Sequence, residues 1–428
     1  MILKVFNKYF GRSEFLKNVA TLISGSMLAQ MIPFFLAPVV ARLYYPGDYA
    51  VLAAYTSVSV LLTIVATGMY DSALMLDATD EEAVNTASVA VTITILLSVL
   101  AGITIILFRD IIASFTGNES VTFWLYLIPL TVFFTGLYST LSVWTNRKKR
   151  YKRLAGNKII QTIATTSLTI CLGFLGWREK GLLLSMITGQ AISFLLLFSQ
   201  TIKEDKALTS LIKKESIKLS LKKHIDFPKY NMPQGFLDGL RESSIILIIS
   251  NNFTPAILGS YSYAVSIINR PLQIIGSAFN QIYYQKAAEI SNRGEELFPL
   301  TKKMIITLVL ATGPFFLMLL IFAPDIFVIL FGQNWQKAGI ITQILAPFFF
   351  IKLISSSISS IPMLLKKQGI FFIASIAVNI LVPASMALAI MLKKDSNYTI
   401  GVFSFTYTLA LIVNIIWIMS LLKKTKKD

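Results

Sequence analysis

Long apolar runs are the feature that most restricts what this chain can fold into. Runs such as Val89–Phe108, Ile305–Phe322 and Ile400–Leu422 approach or exceed the ~20 residues that a helix needs to cross a bilayer core. Inside lipid, each backbone N–H group must be bonded within its own segment, so these runs are predicted to be helices. Only 14% of the residues are charged, against about 25% in soluble domains. We therefore predict an all-α polytopic membrane protein.

About twelve spans are predicted, in two halves of six. They cover residues 18–40, 50–70, 85–108, 121–145, 155–176, 181–202, 229–250, 256–284, 303–323, 338–363, 370–392 and 399–422. An N-terminal six-helix bundle is predicted over 1–202 and a C-terminal one over 229–428, joined by a basic cytoplasmic linker over 203–228. The single histidine and single cysteine argue against a metal site. Because no P-loop or Ser-His-Asp set is found, no catalytic residue is predicted, and the chain is expected not to be an enzyme.

Basic residues are distributed unequally between the connections. If the N-terminus is cytoplasmic, 29 of the 39 Lys and Arg residues lie in cytoplasmic connections and 7 in the opposite ones. This positive-inside pattern predicts that both termini are cytoplasmic. It also accounts for the net charge of +17 without a nucleic-acid partner. Anionic membrane lipids are the expected partners of the basic loops.

The two predicted halves are weakly similar. At a nearly constant offset, Pro46–Ala50 falls on Pro255–Gly259, and Gly117 falls on Gly332. Six spans return the chain to the same side of the membrane, so the halves are predicted to be parallel repeats, as in transporters. Spans broken by Gly or Pro line the substrate path in such folds. The candidates are Pro33 and Pro38 in span 1, and Pro233, Gly235 and Gly239 in span 7.

Ionisable side chains within spans are costly and normally face water or a partner. Those predicted within spans are Asp238, Arg241, Glu242, Arg270 and Lys352. One interpretation pairs Asp238 with Arg241 and leaves Glu242 to one of the other cations. The other, which we favour, is that the surplus of cations, together with Arg42 at the outer mouth, binds an anion. Asp238 and Glu242 lie one turn apart and are also candidates for binding a coupling ion.

Polar side chains recur at helical spacing on several spans. The candidates for lining a cavity are Gln30, Tyr138, Gln234 and Gln273. Stripes such as those containing Tyr55 in span 2 and Thr131 in span 4 are interpreted instead as contacts between helices.

An acidic turn precedes span 3. Asp77 and Asp80 resemble the Asp-x-x-Asp motif of enzymes that bind diphosphate through Mg²⁺. Alternatively, Asp80 and the two glutamates after it cap span 3, where carboxylates meet the positive end of the helix dipole. The corresponding turn Gly294–Glu296 lacks a second Asp-rich motif, so the cap is favoured.

Three segments resemble the Wzx-type O-antigen and polysaccharide flippases, which share a superfamily with the multidrug and toxin extrusion (MATE) transporters and the lipid II flippase. The segments are Asn18–Pro33, Ala41–Ala50 and Leu258–Gln273. The resemblance implies a MATE-like fold of two six-helix bundles around a V-shaped central cavity. It also implies alternating access, driven by H⁺ or Na⁺ and without another cofactor.

The substrate that this resemblance implies is an undecaprenyl-diphosphate-linked oligosaccharide, moved from the cytoplasmic to the outer leaflet of the cell inner membrane. The implied partners are a polysaccharide polymerase and a chain-length regulator. Family members have cationic residues in the cavity, and Arg241, Arg270 and Lys352 are the best candidates here.

Two alternatives stay open. A MATE-type drug or cation exporter would require uncompensated carboxylates in its cavity, and span 1 has none. An integral-membrane glycosyltransferase or polymerase would usually have a large external loop or paired acids near the surface, and neither is found.

The topology can be tested with reporter fusions at residue 215 and at the C-terminus. Both are expected to report the cytoplasm, because the basic connections lie on that side. A signal from the opposite side of the membrane at either position would contradict the predicted orientation.

Overall fold

The computed structural model describes residues 14–205, 210–293, 295–365, 367–393 and 395–424. Within these residues the chain contains no strand, and twelve helices of 20 or more residues follow the order of the predicted spans. These helices, α1–α12, are Glu14–Phe35, Pro46–Val65, Asp80–Thr116, Ile128–Arg147, Tyr151–Phe174, Arg178–Asp205, Met232–Asn252, Pro255–Asn292, Leu297–Phe331, Gln336–Ser357, Gln368–Leu392 and Ser396–Lys424.

Eight helical segments of the described chain are long and apolar enough to cross a membrane, so this is a multi-pass membrane protein. A ninth span results if α1 and the short helix Ala37–Leu43 are counted together. Helices α5, α7 and α8 exceed 18 residues but do not qualify, because their polar side chains lower the hydropathy or raise the charge. The number of twelve spans and the orientation of the termini stay predictions.

The ends of two long helices explain part of the internal similarity. Helix α3 ends at Gly117 (φ +63°), and α9 ends at Gly332 (φ +99°). Glycine is favoured at both ends because other residues seldom adopt positive φ. The aligned prolines Pro46 and Pro255 each begin a helix, α2 and α8 respectively. These matched boundaries support the predicted repeat.

Contacts divide the chain into two compact units. Unit 1 comprises the described residues up to Tyr44 together with Val51–Ser243, and unit 2 comprises Tyr45–Ala50 together with the residues from Ser244 onward. This division lies within α7. The domain limits at 202 and 229 stay a prediction.

Three helix pairs recur within the two units. In unit 1, α3 packs on α4, α4 on α6, and α5 on α6. In unit 2, the corresponding pairs α9–α10, α10–α12 and α11–α12 are in contact. Unit 1 also pairs α1 with α5, and unit 2 pairs α8 with α10. The repeated pairs are what a duplicated six-helix unit would produce.

The predicted interruption of span 1 is confirmed. Helix α1 continues through Pro33 to Phe35, and the chain then bends by 40° into the short helix Ala37–Leu43. Pro38 lies in the first turn of this second helix, where the missing N–H group costs no hydrogen bond.

The expected break in span 7 is wrong. Helix α7 runs without interruption from Met232 to Asn252, and the irregular turn, a π-helical segment, precedes it at Phe227–Asn231. Its glycines allow close packing instead. A Cβ atom at Gly239 would lie 2.4 Å from the Cδ1 atom of Ile64 on α2.

The acidic turn is a helix cap, as favoured from the sequence. The hydroxyl of Thr79 accepts a hydrogen bond from the backbone N–H of Glu82 (3.2 Å), and the three acidic residues Asp80–Glu82 form the first turn of α3. Carboxylates are stabilised there by the helix dipole. No group of three or more metal-binding side chains is found in the part of the chain that the structure describes.

The connector after α6 is attached to unit 1. Its helix Lys214–Lys223 packs on the start of α3. The fully buried side chain of Asp77 is hydrogen-bonded to His224 (2.8 Å) and accepts a hydrogen bond from Lys223 (2.8 Å). The hydroxyl of Tyr70 donates to the carbonyl of Leu221 (2.9 Å). Residues 206–209 of the predicted linker lie outside the described residues.

Asp77 lies between α2 and α3, outside the membrane-spanning segments. Burial by itself would raise the pKa of its carboxyl group. Hydrogen bonds with Lys223 and His224 contribute to an opposing effect that holds the pKa below its ordinary value. Asp77 is therefore expected to be ionised in the folded protein near neutral pH.

The segment Tyr45–Ala50 is tightly packed within unit 2. The ring centroid of Tyr49 lies 5.0 Å from that of Tyr263 and 5.3 Å from that of the fully buried Trp335. Gly259 on α8 approaches so closely that a Cβ atom there would lie 1.6 Å from the carbonyl oxygen of Pro46.

Gly259→Ala is therefore expected to lower the free energy of unfolding by about 3 kcal/mol or more, because the added methyl group overlaps rigid backbone. The measurement is the thermal midpoint of the purified protein in detergent. Gly313→Ala in α9 is the matched control, since nothing lies within 4 Å of the added carbon. Equal midpoints for the two variants would contradict the close approach at Gly259.

Asp77→Asn is expected to lower the free energy of unfolding at pH 7 by about 1–3 kcal/mol, because the amide keeps an acceptor oxygen for Lys223 and His224 but loses the negative charge that strengthens these hydrogen bonds. Since folding lowers the pKa of Asp77, its contribution is present above the unfolded pKa of about 3.9 and is lost as pH falls through the lower folded value. Thermal midpoints of wild type and variant should therefore converge in acid. Asp110→Asn, whose side chain is 78% exposed, should change little at either pH. A pH-independent gap for Asp77→Asn would contradict this assignment.

Candidate functional site

A cavity of about 530 Å³ lies within unit 2, between α8 and α10. Its polar lining consists of Asn269, Gln273, Ser277, Asn280, Lys352, Ser356 and Ser359. Leu272, Gly276 and Leu353 complete the lining. The volume is in the range of small-molecule binding sites.

Helical spacing brings these side chains together. On α8 the polar positions recur every three or four residues from Asn269 to Asn280. The same spacing runs from Lys352 on α10 to Ser359 in the turn that follows this helix. Gly276 lies where the two helices approach, since a Cβ atom there would be 3.0 Å from the Ser356 hydroxyl. A larger side chain at Gly276 would extend into the cavity.

Lys352 is half-buried and is positioned by two neighbours. Its ammonium group donates a hydrogen bond to the Oδ1 atom of Asn269 (3.2 Å) and lies 5.5 Å from the ring centroid of Phe348. An aromatic face stabilises a cation at this distance. Lys352 thus supplies a positive charge to the cavity from a defined position.

Asn280 links the two helices at the other end of the cavity. Its amide NH₂ group donates to the carbonyl of Ser356 (2.9 Å) and to the hydroxyl of Ser359 (3.4 Å). Among the described lining residues there is no carboxylate. This cavity therefore offers one positive charge and several neutral hydrogen-bonding groups.

The structure groups the predicted cations differently from the sequence analysis. Lys352 and Gln273 line the same cavity, whereas Arg270 is half-buried on α8 outside the described lining. Asn269 and Asn280 were missed. Their spacing from Gln273 places them on one face of the helix, which is the signal that could have identified them.

The charges of α7 lie close together. The guanidinium of Arg241 is 3.7 Å from a carboxylate oxygen of Asp238 and 3.8 Å from one of Glu242. The Arg241 side chain is only 14% exposed, whereas that of Glu242 is 68% exposed. The pairing of Asp238 with Arg241, which is part of one of the two interpretations, is therefore observed. The other part, which assigned Glu242 to Arg270 or Lys352, is not observed, because Glu242 also lies beside Arg241. The role of Asp238 and Glu242 in ion coupling stays a prediction.

The other predicted residues are distributed over both helices and turns. Arg42 is exposed in the last turn of the short helix Ala37–Leu43. Gln30 on α1 is half-buried, and Gln234 in the first turn of α7 is exposed. Tyr138 on α4 is half-buried.

Polar stripes in unit 1 connect helices, as interpreted from the sequence. The hydroxyls of Tyr55 on α2 and Thr131 on α4 are 2.6 Å apart and both buried. Such bonds satisfy polar groups that lipid cannot solvate.

The chain matches the model of a family described as polysaccharide biosynthesis protein over residues 39–340. No curated protein sequence matches it significantly.

Solved structures of membrane transporters are similar along nearly the whole chain. An inward-facing multidrug resistance transporter of the MATE family, MOP superfamily, matches with a TM-score of 0.67 and 13% identity, covering 94% of this chain and 99% of that chain. The lipid II flippase MurJ in an inward closed conformation matches with a TM-score of 0.65 and 12% identity, covering 95% of this chain and 87% of that chain. A MOP superfamily transporter from Pyrococcus furiosus matches with a TM-score of 0.53 and 15% identity, covering 96% of this chain and 97% of that chain. The predicted MATE-like fold is confirmed.

Proposed function

Because this chain belongs to the polysaccharide biosynthesis protein family, we propose that it is a flippase for undecaprenyl-diphosphate-linked oligosaccharides. It would move repeat units of O-antigen or a related surface polysaccharide from the cytoplasmic to the outer leaflet of the inner membrane, by alternating access. A polysaccharide polymerase would use the product, and a coupling ion, H⁺ or Na⁺, would drive the cycle.

The observation that supports this proposal most directly is the cavity of unit 2. It combines the Lys352 cation with amides and hydroxyls, and its described lining includes no carboxylate. Amides and hydroxyls recognise sugar hydroxyls, and a cation offsets the desolvation of an anionic group. We propose that Arg241, Arg270 and Arg42 serve the diphosphate elsewhere along its path.

Export of cationic drugs is the alternative that shares this fold. A cation would be attracted by carboxylates and repelled by Lys352. The two carboxylates of α7, Asp238 and Glu242, lie beside Arg241, which offsets one of their two negative charges. The flippase is therefore the better-supported function.

The test uses proteoliposomes that contain the full chain and undecaprenyl diphosphate linked to a short oligosaccharide. Saccharide should appear at the opposite leaflet faster than in protein-free liposomes, measured by oxidation with membrane-impermeant periodate. Arg270→Ala should slow this movement. Arg270→Lys should retain part of it, because lysine supplies the positive charge but cannot donate the two parallel hydrogen bonds that arginine forms with phosphate oxygens. Arg293→Ala, an exposed change just beyond α8, is the control.

Transport of a lipophilic cation such as ethidium, with no movement of the saccharide, would contradict the flippase and favour the exporter. Wild-type rates with Arg270→Ala would remove this residue from the substrate path and leave the flippase proposal standing.

A further inference from the structure

The cavity of unit 2 is chemically uneven. Six of its polar side chains are neutral and one, Lys352, is cationic. The two ends of the cavity also differ, because Asn269 beside the cation and Asn280 are 11 residues apart on α8, or about 16 Å along a helix. A ligand that fills it would meet the single positive charge at one end only.

At the Asn269 end the groups are hydrogen-bond donors. The Oδ1 atom of Asn269 accepts the bond from Lys352, so its NH₂ group is the donor that this side chain offers beside the ammonium group. An ammonium group can donate up to three hydrogen bonds, so binding Asn269 is compatible with a further acceptor. Two donors next to one positive charge suit the oxyanion of a ligand.

At the Asn280 end the pattern is reversed. The NH₂ group of Asn280 bonds to Ser356 and Ser359, which leaves its carbonyl oxygen as an acceptor. Phosphate oxygens only accept hydrogen bonds, so an amide carbonyl directed at them would bring two acceptors together. Sugar hydroxyls both donate and accept, and they can pair with this end.

The charge balance also favours the sugar part of the substrate over its diphosphate. A diphosphate bridging lipid and sugar carries two negative charges, and one ammonium group would leave one of them uncompensated in a partly desolvated site. A single carboxylate is matched by the charge of Lys352. Arg270, which follows Asn269 directly in sequence, is not among the residues that line the cavity.

We propose that this cavity receives the saccharide of the lipid-linked substrate, and that Lys352 and Asn269 bind the carboxylate of an acidic sugar within it. This inference depends on the proposed function, because it assigns part of the same substrate to a named site. The binding chemistry, one oxyanion flanked by hydroxyls, could come from a sugar carboxylate or from phosphate. Two matched probes separate these sources.

Both probes are undecaprenyl diphosphate carrying the same disaccharide core, extended by glucuronic acid in one and by glucose in the other. The full chain is reconstituted in proteoliposomes, and initial rates of movement are compared. Lys352→Gln should lower the rate for the glucuronic acid probe about tenfold more than for the glucose probe, because only the first loses a charged hydrogen bond. Lys352→Arg should retain the preference. Lys302→Gln, which removes an exposed charge from α9, should not alter the ratio.

A second variant tests the cavity itself. Gly276→Val would place methyl groups against Ser356 and fill the space between α8 and α10, so movement of both probes should fall while the thermal midpoint stays near that of wild type. Unchanged rates with a folded Gly276→Val would overturn the assignment of the saccharide to this cavity.

Equal losses for both probes in Lys352→Gln would mean that the cation serves the diphosphate, and the acidic-sugar inference would fail although the flippase stands. No loss for either probe would also overturn it. If the wild-type chain moved neither probe, the proposed function itself would fail.

Discussion

Polar groups that lipid cannot solvate are the constraint on which the rest of this structure depends. Each must meet another polar group or face a wet cavity, since an unsatisfied one costs several kcal/mol in hydrocarbon. In unit 1, some of these groups are satisfied in pairs. Tyr55 is bonded to Thr131, and the buried pair Asn157 and Ser193 joins α5 to α6. Unit 2 instead collects polar groups around an open space between α8 and α10.

The same constraint explains why the long helices α5, α7 and α8 do not qualify as spans by hydropathy. Helix α5 contains Asn157, α7 contains Arg241 with its two acids, and α8 contains the polar face from Asn269 to Asn280. Asn157, Arg241 and Asn280 each have a polar partner within the protein. A scale that averages along the chain cannot separate a helix that is polar on one face from a helix that is polar throughout.

Apolar runs and Gly or Pro boundaries were sufficient to predict the order of the long helices, the bend after Pro33 and the repeat ending at Gly117 and Gly332. The interruption of span 7 was predicted wrongly because glycine has two uses. It can break a helix, or it can admit a neighbour, as Gly239 admits Ile64. Only the identity of the neighbour distinguishes these uses, and that neighbour is remote in sequence. Asp77 and His224 illustrate the same difficulty, because their hydrogen bond joins residues 147 positions apart.

Fold similarity and site chemistry therefore give different kinds of information here. The same arrangement of helices occurs in a multidrug transporter and in a lipid II flippase, at identities of 13% and 12%, so the arrangement does not select a substrate. Selection must come from the few side chains that face the cavity. Lys352, fixed by Asn269 and Phe348, disfavours a cationic ligand whatever the surrounding fold. A change of one or two such residues would alter the preferred ligand without disturbing the helix packing, because the hydrophobic core of unit 2 is built from other residues, such as Tyr283 and Ile418. This separation of packing from recognition allows one fold to serve chemically different substrates.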